Sequence, residues 1–163
     1  MTASVEHLLV GAHAGLGELG ILACFWIGLE LLVTNPIHLK RLRIVAVSGV
    51  IFFILSWLVG GYYYVVHYGV DVKPIIKSGP MAWAHGIIME AKEHVFLFLP
   101  FLSIVVASVL LALNDVVSDR ARIQRWLVIL CALAIVIGGL MAASGYIISS
   151  GMRHALEVRN HLR

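Results

Sequence analysis

Charge is what this sequence has least of. Asp, Glu, Lys and Arg make up 13% of its 163 residues, whereas 61% are hydrophobic. A soluble domain carries about a quarter charged residues, so this chain cannot coat a water-facing globule. Cysteine is nearly absent too. Cys24 and Cys131 both sit inside apolar runs, and no CxxC or Cys/His spacing points to zinc or a redox pair. They read as small buried hydrophobes. Residues 1–6 lack the basic stretch of a secretory leader, so the first apolar run is expected to remain in the mature chain. The formal net charge of +3 does not imply nucleic acid, because Lys and Arg gather in short connections, as membrane topology requires.

Long apolar runs are what the sequence does have. Residues 44–66 (IVAVSGVIFFILSWLVGGYYYVV) and 127–149 (LVILCALAIVIGGLMAASGYIIS) are free of charge, and each is long enough to cross hydrocarbon. Residues 95–113 are equally clean but follow the polar stretch AWAHGIIMEAKEH, and residues 19–33 carry Glu30 alone. The expected fold is therefore all-α. It is a single integral membrane domain of four helices, antiparallel in up-down order, with spans at about 6–33, 44–67, 83–113 and 126–150. Connections are expected at about 34–43, 68–82 and 114–125. Pro100 lies inside the third run and predicts a kink there.

Lys40, Arg41 and Arg43 lie in the first connection, and Arg120, Arg122 and Arg125 lie in or beside the third. Both connections read as cytoplasmic, which puts the two termini and the 68–82 connection outside. The expected location is a cell membrane, multi-pass, of the prokaryotic inner-membrane kind. Tyr62, Tyr63, Tyr64, Tyr68, Trp83 and Tyr146 would form the outer aromatic belt.

Folded this way, the polar residues gather at one end. His7, His13 and Glu18 occupy the outer half of the first helix, and His67 the outer end of the second. His85, Glu90, Lys92, Glu93 and His94 fall on the third, with Ser144, Tyr146 and His154 on the fourth. Ionisable groups near mid-membrane are costly and are expected to face inward with partners. On a helical wheel with His85 at the origin, Glu93, Glu90 and His94 fall at roughly 80°, 140° and 180°. That shared arc is expected to face the interior, towards Glu18 or His13. Lys92, at roughly 340°, would snorkel away from it. Ser56, Gly60, Tyr63, Tyr64 and His67 share one side of the second helix.

Two chemistries suit this set. One is b-type haem, because neutral imidazoles from two helices ligate iron axially and small residues let a porphyrin approach the backbone. GAHAGLGELG around His13 has that composition. In helix count and histidine placement the chain resembles the four-helix membrane cytochromes b, without the paired histidines on one helix that their two-haem members show. His13 and His94 are the first candidate ligands, and His67 and His85 the second pair. The other chemistry is a transition-metal site of Glu18, Glu90, Glu93 and His94, in which carboxylates and an imidazole from several helices hold an ion. MEAKEH gives Glu-x-x-Glu-His in place of the ferritin-like Glu-x-x-His. A simpler possibility is that Glu90, Lys92, Glu93 and His94 form a solvated rim above the membrane.

The expected function is thus a small multi-pass electron-transfer subunit of a membrane redox system. Its partners would be the lipid bilayer, other subunits of a redox complex or further copies of itself, with no nucleic acid. The alternatives are a non-catalytic membrane or assembly subunit whose polar face binds a partner, and a proton-relay site.

Overall fold

The computed structural model describes residues 2–33, 38–113 and 120–161. All of its regular structure is helical. Helix α1 spans Thr2–Val33, and α2 spans Leu39–Tyr63. The latter runs on through a π-helical segment, Tyr64–Val72, into α3 (Lys73–Ser78). After the turn at Gly79–Trp83, a second π-helical segment, Ala84–Met89, leads into α4 (Glu90–Val95) and α5 (Phe98–Ala112). Helix α6 spans Arg120–His161. Joined end to end, these elements make four rods, each long and apolar enough to cross a membrane. Residues 34–37 and 114–119 of the expected connections lie outside the described residues.

The rods pack through a recurring four-then-three spacing of inward positions. On the third rod, His85, Met89, Lys92, Phe96, Leu99, Ser103, Val106 and Leu110 are all buried or half-buried. On α2 the buried seam is Leu42, Ala46, Gly49, Phe53 and Ser56. This is the heptad pattern of packed helices, in which small residues let backbones approach. A Cβ on Gly138 would lie 2.5 Å from the Ile21 side chain, so any larger residue there would have to displace Ile21 from its seat between α6 and α1.

Two features depart from a plain α-helical reading. The 68–82 connection is not a loop, since only its last residues form a turn. Pro74 sits in the first turn of α3, where its missing N–H is tolerated, but its ring crowds the carbonyl four residues back. The chain meets that crowding by widening rather than stopping, and Lys73 N–H reaches Tyr68 O five residues back. The helix is interrupted just before Pro100, between α4 and α5. Pro100 has no N–H to give Phe96 O, and Leu99 N–H takes that carbonyl at 3.0 Å instead.

At the end where α1 stops and α2 starts, side chains satisfy helix-terminal carbonyls. Arg43 donates to Leu110 O at 3.0 Å and also to Leu113 O, and Gln124 donates to Leu31 O. Such groups have no partner within their own helix. Buried Glu30 accepts from Trp26 Nε1 at 3.0 Å and forms a two-pronged pair with Arg41, both contacts at 2.9 Å.

Candidate functional site

The opposite end holds the histidines. His13 is half-buried on α1 and packs against α2. Its Nδ1 donates to Ser56 O at 2.8 Å, and Ser56 Oγ donates back to His13 O at 2.8 Å. A carbonyl only accepts, so the ring proton sits on Nδ1 and Nε2 is the bare, basic nitrogen. Gly60 makes the fit possible, because a Cβ there would collide with His13 Nδ1. The Phe96 ring lies 6.0 Å from the His13 ring, and the Lys92 ammonium is close enough to act on it electrostatically.

His85 is 1% exposed. Its Nδ1 lies 3.1 Å from the Tyr68 hydroxyl, and its Nε2 is buried without a hydrogen-bond partner among the described residues. Tyr68 is itself buried and stacks on Tyr64 at 5.3 Å. The two π-helical segments therefore supply the two halves of one buried Tyr–His pair. Extra-wide turns of this kind are frequent at functional sites.

His67 projects from the first π-helical segment towards α1. Its Nδ1 is 3.7 Å from Glu6 Oε1, beyond hydrogen-bond length. Tyr63 stacks on its ring at 6.0 Å and Tyr62 meets it edge-on at 6.4 Å. Asp71 completes a group with Glu6 and His67 whose ligand atoms all lie within 4.8 Å of one another. Neither Glu6 nor Asp71 is singled out by sequence spacing. The signal lies in the fold, which lays the start of α1 beside residues 67–71.

The expected inward arc on the third rod is corrected. Glu90, Glu93 and His94 are exposed, and Glu18 on α1 is exposed as well. His94 donates Nδ1 to Glu90 O of its own helix at 2.7 Å. The interior takes the opposite arc, with Lys92 half-buried beside Gly145. The reason is helix packing. Leu99, Ser103, Val106 and Leu110 share the Lys92 face and pack against α2 and α6, and seating that face on its neighbours turns the acidic face outward. Tyr64 reaches across to the carboxylate of Glu93.

The candidate histidines also sit at different levels. His13 lies beside Gly60 and Phe96, and His85 beside Tyr68. At 1.5 Å per residue those levels are roughly 12 Å apart along the second rod and 16 Å along the third. One iron cannot take both. His94 is near the level of His13 but on the face of its helix opposite Phe96.

Compared with known protein families, with characterised proteins and with solved structures, the chain matches none.

Proposed function

We propose that this chain is a small multi-pass membrane subunit of an electron-transfer system, carrying a histidine-ligated metal centre in its outer half. In this reading the four rods cross the bilayer antiparallel, with both termini outside. The observation that carries the proposal is the posture of the imidazoles. His13, His85 and His94 each meet an oxygen through Nδ1, and the buried Nε2 of His85 has no hydrogen-bond partner among the described residues. Metal-ligating histidines are held in the same way, with one nitrogen fixed by an oxygen and the other left for the ion. A single chain does not bring two of these three to one iron, so a haem b would take its second axial ligand from a neighbouring subunit or a second copy. Outward-facing His94 is suited to that. A transition ion needs only one imidazole with other donors.

The outward placement of Glu90, Glu93 and His94 supports a second reading, a non-catalytic subunit whose polar rim docks a partner. A visible spectrum and metal analysis of the purified protein, oxidised and dithionite-reduced, separate the two. The expected result is a redox-sensitive band or stoichiometric metal, lost in His13→Ala, His85→Ala or His94→Ala. A well-folded preparation that is colourless and metal-free would overturn the metal centre and leave the docking reading.

A further inference from the structure

At the outer rim, α1 and the first π-helical segment bring one imidazole and two carboxylates together. Glu6, His67 and Asp71 place one ligand atom each within 4.8 Å of the others. Two like charges converge there, and the 3.7 Å between His67 Nδ1 and Glu6 Oε1 is too long for a hydrogen bond. His67 and Glu6 make at most a loose ion pair when the imidazole is protonated, and no hydrogen bond joins them. A cation among them would take a lone pair from each at about 2.0–2.2 Å, the usual length for imidazole nitrogen and carboxylate oxygen.

The imidazole is already oriented. Tyr63 lies nearly parallel to the His67 ring, at an interplanar angle of 25°, and Tyr62 stands against it at 72°. Packed against two aromatic rings, it loses less freedom on binding. His67 and Asp71 both belong to Tyr64–Val72, and π-turns often re-aim side chains at functional positions. The class of ion follows from the donors. Carboxylate oxygen alone suits Mg²⁺ or Ca²⁺, whereas an imidazole in the set moves preference to first-row transition ions.

We infer that Glu6, His67 and Asp71 form a site for one divalent first-row transition ion at the outer rim, completed by water. It uses none of the nitrogens invoked for the redox centre and stands or falls separately from it.

The test is a Zn²⁺ titration of the full-length protein in detergent, stripped with a chelator and read against a chromophoric competitor. A Zn²⁺ site resistant to excess Mg²⁺ is expected, and it should persist in His13→Ala, His85→Ala and His94→Ala. Glu6→Gln and Asp71→Asn should each weaken it at least tenfold. Glu157→Gln, an exposed carboxylate on α6, should leave it unchanged. Circular dichroism confirms that the variants are folded. No bound Zn²⁺, equal affinity in the wild type and both site variants, or displacement by Mg²⁺ would each overturn the inference. A colourless protein whose metal is all lost in Glu6→Gln and Asp71→Asn would sink the redox centre and leave this site standing.

Discussion

Gly60 shows how one hydrogen atom in place of a methyl group decides what a neighbouring side chain can do. The His13 ring lies against Gly60, held there by the bond to Ser56 O one turn back on α2. Alanine is normally the better helix residue, by about 0.5–1 kcal/mol. At Gly61, where nothing lies within 4 Å of the added carbon, that preference should win, and Gly61→Ala should be neutral or slightly stabilising. At Gly60 the methyl would drive His13 off its bond, and crowding of this kind costs about 1–3 kcal/mol. Gly60→Ala should therefore lower the unfolding midpoint in detergent, and Gly61→Ala should not. Equal midpoints would mean that His13 swings aside freely and is not held as described. Ser56 adds a second tie, since its hydroxyl occupies His13 O while its carbonyl occupies the ring. Reciprocal bonds between two helices fix rotation as well as distance.

Along the third rod, the four-then-three series from His85 to Leu110 was readable in the sequence, and it already contains Lys92. A cluster of acidic residues next to a lysine draws attention to the acids, yet helix packing decides which face turns inward. The acids lose because the face carrying Leu99, Ser103, Val106 and Ala107 is the one whose shape lets the neighbouring helices pack closely. The helices were legible because their apolar runs are long. The continuation to Ser78 was not, because Pro74 and Gly79 resemble loop punctuation and a widened turn has no sequence signature. The Tyr68–His85 pair and the Glu6–His67–Asp71 group were invisible for another reason, since each joins residues that only tertiary packing brings together. One consequence is measurable. Among the described residues no carboxylate pairs with Lys92, and an unpaired cation inside a bundle of this polarity costs about 2.5–3.5 kcal/mol at full depth. Lys92 is half-buried, so its cost is smaller. Lys92→Met keeps the length of the stem and removes the charge, and should raise stability by about 1 kcal/mol. A loss of stability in guanidine or thermal unfolding would show instead that the ammonium has a partner worth keeping.

Taken whole, the molecule is apolar where a soluble protein is polar. Phe25, Trp26, Trp57, Phe98, Phe101 and Trp126 are large, exposed and spread over all four rods, as expected of surfaces that meet lipid. The two ends differ in kind. One end is closed by Arg43, Gln124 and the Arg41–Glu30 pair, and its cations flank the short connections in the first turns of α2 and α6. The other end carries the histidines, the tyrosine stack and the three-residue rim site. Short cationic connections stay on the cytoplasmic side, so the first end should face the cytoplasm and the histidine end outward. Arg153 and Arg159 on the far side reduce the bias without reversing it, because the early connections act first during insertion. Single cysteines test this directly, since native Cys24 and Cys131 are buried and stay silent to a membrane-impermeant thiol reagent. Ser78→Cys, exposed at the histidine end, should label in intact cells. His38→Cys and Arg122→Cys should label only after the membrane is opened. Labelling of either in intact cells, with Ser78→Cys protected, would invert the molecule and move its metal chemistry to the cytoplasmic face.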